Sequence, residues 1–255
     1  MNNFDGKQVS AQLIDLLRLK TTPIGIKAFK TLEEMNAVEK LRRPADPLNI
    51  CQVLAQAFQN GFTIGCTAEN IDPIAGVNCG CIAGLTEPTE EFRTMKKVAG
   101  AWFETEEDVL RHQADLCAPG LRYAGLAASP LRSNRFLPDV CLIAATPGQA
   151  FMLMSAVIRT NYAPLTFKFS GESSCAQGWA KTLRTGEPGL CTPCYAELRF
   201  ANFSDGEMLI SLTPDDLLKA ITSLQALSAQ GLRYPIPGFG ISTSPGGVIA
   251  KQYGK

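Results

Sequence analysis

The stretch Leu17-Arg-Leu-Lys-Thr-Thr-Pro-Ile-Gly-Ile-Lys-Ala-Phe29 decides how the fold is read. It joins an amphipathic run, Ala11–Leu19, to an extended apolar segment through Pro23, which is the local grammar of a helix, a turn and a strand. Ile158-Arg-Thr-Asn-Tyr-Ala-Pro-Leu-Thr-Phe-Lys-Phe-Ser170 has the same form and follows the run Ala150–Arg159. Arg18, Pro23 and Lys27 fall opposite Arg159, Pro164 and Lys168 without a gap. Two further matches follow in the same order. Cys51 and Cys175 each open a short helix-like run that ends at a glycine, Gly61 or Gly186. Ala118-Pro-Gly-Leu-Arg-Tyr123 matches Ala229-Gln-Gly-Leu-Arg-Tyr234, each after a segment with threonine as N-cap, Thr105 or Thr213, and acids in its first turn. Gly120 and Gly231 suit the left-handed position that closes a helix.

These matches predict an internal duplication. The expected fold class is α+β: one compact unit of two αβ halves, 1–135 and 136–255, related by a pseudo-two-fold. Expected strands are Ile24–Phe29, Val140–Ala145, Leu165–Phe169, Glu197–Ala201 and Met208–Leu212. Expected helices are Val9–Leu19, Cys51–Gln59, Glu106–Leu116, Gly148–Arg159, Cys175–Leu183 and Pro214–Ala229. The Gly-, Pro- and Ser-rich tail Ile236–Gly247 is expected to be a loop.

Composition narrows the chemistry. The 255 residues are 45% hydrophobic, which excludes a disordered chain. Lys+Arg 24 balance Asp+Glu 24, so the basic footprint of a general nucleic-acid binder is missing. A single histidine, His112, excludes any three-histidine metal site and leaves one candidate base for a Ser-His or Cys-His arrangement. Its charged helical setting points to a solvated residue. The longest clean apolar run, Val140–Ala145, is far short of the ~20 residues of a membrane span, and the N-terminus lacks a signal-peptide pattern. The expectation is a soluble, cytoplasmic protein with no membrane partner.

Nine cysteines are the conspicuous chemical resource, and in a reducing compartment they are not expected to form disulfides. Helix-initial thiolates at Cys51 and Cys175 would be stabilised by the helix dipole. The pairs Cys79-Gly-Cys81 and Cys191-Thr-Pro-Cys194 add donors in each half. A pseudo-two-fold would gather four thiolates: Cys51, Cys175, one of Cys79 and Cys81, and one of Cys191 and Cys194. The ligand set taken forward is Cys51, Cys79, Cys175 and Cys194, as an iron–sulfur cluster of the 4Fe-4S type or, alternatively, a zinc ion. Cys66, Cys117 and Cys141 are expected to be packing residues. Lys27 and Lys168, each after its proline, are candidate contacts to an anionic ligand.

The segments Pro23-Ile-Gly-Ile-Lys27, Cys51-Gln-Val-Leu-Ala-Gln-Ala57, Cys79-Gly-Cys-Ile-Ala-Gly-Leu85, Leu137-Pro-Asp-Val-Cys-Leu-Ile143, Cys175 and Gly206-Glu-Met-Leu-Ile-Ser-Leu212 occur in an order that resembles a prokaryotic family known as domain of unknown function number 169. The resemblance covers nearly the whole chain. It implies recurring cysteines at Cys51, Cys79 and Cys175, with Cys191 and Cys194 less general. It therefore also admits a three-cysteine cluster with an open iron acting as a Lewis acid. Three functions stand at this point: an iron–sulfur protein, with or without enzymatic activity on a small anionic substrate; a thiol-redox protein using Cys191 and Cys194; and a non-catalytic module that encloses a small ligand. A homo-oligomer is compatible with each.

Overall fold

Val140-Cys-Leu-Ile-Ala-Ala145 has no polar position, as a strand covered on both faces requires, and all six residues are buried. The computed structural model describes residues 4–74, 77–87, 101–116, 122–242 and 244–253. This segment is β4, at the middle of a six-stranded antiparallel sheet. The others are β1 (Ile24–Phe29), β2 (Ile64–Cys66), β3 (Gly125–Pro130), β5 (Gly189–Cys191) and β6 (Met208–Leu212), in the order β2-β3-β1-β4-β6-β5. The described helices are α1 (Gly6–Leu17), α2 (Leu32–Asn36), α3 (Ile50–Asn60), α4 (Val77–Ile82), α5 (Glu106–Leu116), α6 (Pro147–Val157), α7 (Trp179–Thr185), α8 (Tyr195–Phe200), α9 (Pro214–Ala229) and α10 (Gly246–Tyr253). None of them is long and apolar enough to cross a membrane.

The alternation of side chains along β4 divides two cores. Val140, Leu142 and Ala144 join Ile24, Ile26, Leu126 and Leu209 beneath α3 and α7, whose Val53, Leu54, Phe58, Trp179 and Ala180 fill that layer. Cys141, Ile143 and Ala145 join Ile210 and Leu212 beneath α1, α6 and α9 on the opposite face. The helices begin where capping chemistry allows. Asp5 accepts the amides of Lys7 and Gln8, Thr105 that of Asp108, and Thr213 that of Asp216. Gly231, just past α9, has φ +86°, as its predicted closing role requires.

The registers tie the sheet together. At its centre Gly25 lies opposite Cys141. On one side Ala28 pairs with Leu126, and Leu126 with Cys66. On the other, Ala144 pairs with Leu209, and Leu209 with Cys191. Nearer the centre, Ile26 pairs with Ala128 and Ala128 with Ile64 on one side, and Leu142 with Ser211 and Ser211 with Gly189 on the other.

Three expectations are corrected. Leu165–Phe169 is not a strand; it runs without regular structure, with Phe169 exposed, so Lys168 does not occupy the place of Lys27 on β1. The Arg-Pro-Lys match therefore reflects shared turn grammar rather than equivalent strands. Both edges of β1 are already taken, by β3 and β4. Glu197–Ala201 is not a strand either, because Cys194 and Glu197 cap the short helix α8. The expected helix Cys175–Leu183 breaks into a 3-10 turn, Ser174–Ala176, and α7, with Gly178 between them in a conformation that ends one and starts the other. Helix α10 lies partly within the tail expected to be loop. Cys117 and Gly120 fall outside the described residues.

The turn before α7 is pressed onto the sheet edge. A Cβ at Gly189 would lie 2.4 Å from Ser211 Oγ and 2.6 Å from the Gly178 carbonyl oxygen, so a methyl group there must displace backbone. Gly189→Ala is expected to lower stability by about 1–3 kcal/mol, read from the urea midpoint. Gly238→Ala, which meets nothing within 4 Å, is expected to leave it unchanged.

Candidate functional site

Four segments that are far apart in the chain meet on the α3/α7 face of the sheet. Cys51 is the second residue of α3, which starts where the Asn49 amide donates to Gln52 Oε1 (3.0 Å). Cys79 sits in α4. Cys175 is the middle residue of the 3-10 turn, entered through Ser173 in the left-handed region (φ 60°). Cys194 is the residue before α8, in extended conformation. All four line one cavity of about 560 Å³. Its wall also carries Asn49, Asn78, Glu172, Glu197 and, toward solvent, Trp102, Tyr195, Arg199 and Phe200.

Glu197 fastens two of these segments. It is 2% exposed, and its Oε2 accepts the Cys194 amide at 2.8 Å and the Ser174 hydroxyl at 3.2 Å. Ser174 Oγ also lies 2.8 Å from the Thr192 carbonyl oxygen, so its single proton is shared between these two acceptors. The residue after Ser174 is Cys175, so one carboxyl group holds the Cys175 turn against the Cys194 cap. Burial pushes the Glu197 carboxyl above its usual range, opposed by these hydrogen bonds. Arg184, on α7, supports the same turn from behind through the Ala176 carbonyl (3.2 Å).

The thiols share one electrostatic environment. Burial, then the neighbouring Cys79, Glu197 and Cys194, push the Cys51 thiol far up. Cys175 is raised by its hydrogen bond with Cys79 and then by burial. Cys194 is raised by burial, Glu197 and Glu172. With no cation among them in the described residues, Cys51, Cys175 and Cys194 are neutral thiols at physiological pH. Burial alone raises Cys141, and it takes Cys66 to about 12. Both are fully buried away from the cavity, as their packing role requires.

The remaining predicted residues lie elsewhere. Lys27 donates to the Leu137 carbonyl (3.3 Å) and pairs with Asp139 (3.8 Å); Lys168 pairs with Asp115 (2.5 Å). Neither is on the cavity wall. Cys191 ends β5, buried, with its sulfur close to Gly178, and does not line the cavity. Cys81 is disulfide-bonded, against the expectation of free thiols throughout. His112 is not free in solvent: Nε2 lies 3.1 Å from the Glu172 carbonyl oxygen, and the ring packs on Phe103. Among the described residues no three His, Cys, Asp or Glu side chains are disposed to hold one metal ion.

Sequence reasoning missed Glu197, Asn49, Asn78, Trp102 and Arg199. The Cys194-x-x-Glu197 spacing carried a signal, because a capping box places an acid three residues after its cap. A cysteine in the cap position hid it.

A sheet with helices on both faces and a cysteine-lined cavity on one of them defines the class of this molecule. The chain belongs to the DUF169 family, described as Uncharacterised ArCR, COG2043, whose model matches residues 12–223. No curated protein and no solved structure matches it.

Two measurements check this site. Glu197→Ala leaves the buried Cys194 amide without its acceptor and is expected to cost about 1–3 kcal/mol, whereas Glu197→Gln, which keeps an acceptor and resembles the neutral acid, is expected to cost little. The second is the pH profile of metal-free protein. Cys51, Cys66, Cys141, Cys175, Cys191 and Cys194 all have raised values. Above pH 9.0 the unfolded chain releases these protons and the folded one keeps them. Stability is therefore full below that pH and falls as pH rises, by up to about 1.4 kcal/mol per unit for each thiol.

Proposed function

We propose that this chain is an iron–sulfur protein whose cluster is held by Cys51, Cys79, Cys175 and Cys194. The observation that carries the reading is their convergence: four thiols from four segments open on one cavity. The donor set fits such a group. It is all sulfur with a buried carboxyl nearby and no histidine on the wall. Asn78 Oδ1 is buried at the same wall without a hydrogen-bond partner among the described residues. The cavity's volume suits a cluster with its ligands spread around it better than one zinc ion, although zinc remains an outcome of the test. When bound, a cluster would supply electron transfer or a Lewis-acid iron. The chain's own part is to bring the sulfurs to one place, to fix the Cys175 and Cys194 segments through Glu197, and to exclude bulk water.

We also propose that the two halves are related by a pseudo-two-fold through the Gly25–Cys141 pair. Placing β1 on β4 carries the row Ala28–Leu126–Cys66 onto Ala144–Leu209–Cys191, and Ile64–Cys66 onto Gly189–Cys191. The element order β1-α2-α3-β2-α4-β3 then runs parallel to β4-α6-α7-β5-α8-β6, with α5 an addition to the first half. Cys51 corresponds to Cys175, and Cys79 to Cys194. This supports the ligand set, because each half contributes one pair.

The dithiol reading has less support. Redox cysteines are accessible and of low pKa, whereas Cys191 and Cys194 are both 8% exposed and both raised.

Protein purified without oxygen is expected to contain iron and matching sulfide, with visible absorbance. Serine at Cys51, Cys79, Cys175 or Cys194 is expected to abolish or sharply reduce both, because a hydroxyl is a poor donor to iron. Serine at Cys66 or Cys141 is expected to leave iron content unchanged. Zinc without sulfide selects the alternative; equal metal in all six variants, or none in the wild type, overturns the assignment.

A further inference from the structure

The outer wall of the cavity differs from its floor. Trp102, Tyr195 and Phe200 are about half exposed, and Ile74 is exposed beside them. Trp102 meets Tyr195 edge-on at 5.7 Å between ring centroids. Arg199 is one helical turn from Tyr195, donates to its hydroxyl at 3.2 Å, and lies 5.8 Å from that ring and 5.6 Å from Phe200. It is the one cationic side chain on the described wall, and it makes no ion pair among the described residues.

We infer that this rim binds a small, flat, apolar carboxylate, an aromatic acid being the simplest case, with its carboxylate on Arg199 and its flat body against Trp102, Tyr195 and Phe200. A guanidinium presents paired donors to a carboxylate, and here two aromatic side chains already hold it in place. Aromatic walls favour planar molecules through edge-on and offset contacts, and a cavity of mostly apolar lining with one fixed charge is the usual form of a small-molecule site. The charge also sets the direction of the ligand. Arg199 is on the rim, whereas Cys51, Cys175 and the buried Glu197 form the floor. The carboxylate stays outside and the apolar end points toward the thiols. The inference deepens the proposed site and rests on it for the meaning of that direction; anion binding itself is measured with or without metal.

The test is calorimetric titration of the full chain, anaerobically prepared and also metal-free, with benzoate, benzamide and cyclohexanecarboxylate. Benzoate is expected to bind saturably, benzamide at least about tenfold more weakly for want of the charge, and cyclohexanecarboxylate several-fold more weakly for want of planarity. Arg199→Gln, an exposed position, is expected to weaken benzoate by at least about tenfold, with unchanged far-ultraviolet dichroism. The chain has two tryptophans, and Trp179 is in the core, so a benzoate-dependent fluorescence change is expected from Trp102 and is lost in Trp102→Leu. No saturable benzoate binding, equal binding of benzoate and benzamide, or unchanged affinity in Arg199→Gln would overturn the inference. None of these readouts depends on iron. A metal-free protein that binds benzoate keeps this inference while the cluster assignment fails, and an iron-loaded protein that ignores benzoate does the reverse.

Discussion

The pairing of β1 with β4 is the constraint on which the rest of the molecule rests. Residues 24–26 and 140–142 are joined side by side at the centre of the sheet, and every other strand is added outward from them. Gly25 fits there because Pro138 and Leu131 leave no room for a Cβ, which would lie 2.9 Å from Pro138 Cβ. Because both faces of this centre are covered, it has no polar side and no freedom of register; a one-residue slip would exchange Val140 and Leu142 with Cys141 and Ile143 between two different cores. The cavity inherits this rigidity. Helices α3 and α7 lie on one face of the sheet, and Cys51 and Cys175 stand at or near their starts.

Much of this was legible in the sequence where a segment is long enough to show its period. β1, β4, β6, α5 and α9 have the expected bounds, since a short, largely apolar run of five or six residues, or a Thr-capped run with acids in its first turn, has few other readings. The three-residue strands β2 and β5 escaped, because three residues carry no period, and β3 escaped because Gly125-Leu-Ala-Ala-Ser-Pro130 is mostly small residues of low strand preference; the place of all three is set by pairing. Leu165–Phe169 shows the converse. It has a strand's pattern but no edge to pair with, so tertiary context overrode the local signal.

The four cysteines were singled out from their positions at helix starts and in close pairs, and the structure brings all four to one wall. What the sequence did not reveal was their support. Glu197 acts through a backbone amide and a serine that lie 3 and 23 residues away, and no spacing rule links a carboxyl group to a turn that distant. The rim was hidden for a similar reason: Trp102 reaches α8 from a distant segment, and only the fold brings its ring to Tyr195.

Charge balance explains why such a cavity is stable as it stands and what the proposed metal group would have to supply. Neutral thiols are weakly polar and bury at little cost, which is why Cys51, Cys175 and Cys194 can lie beside a carboxyl that burial keeps toward its acid form. Their thiolates would repel one another and Glu197 in a region where, among the described residues, Arg184 behind the turn and Arg199 on the rim are the cations at hand and neither stands among the four sulfurs. Anything that takes up these sulfurs as thiolates must therefore bring its own positive charge, and it must displace protons in doing so. Affinity for a cationic metal group then rises with pH, in the direction opposite to the stability of the empty fold. Glu197 keeps its proton in that exchange: four thiolates around a dipositive centre are net negative, which holds the neighbouring buried carboxyl toward its acid form rather than drawing it toward ionisation.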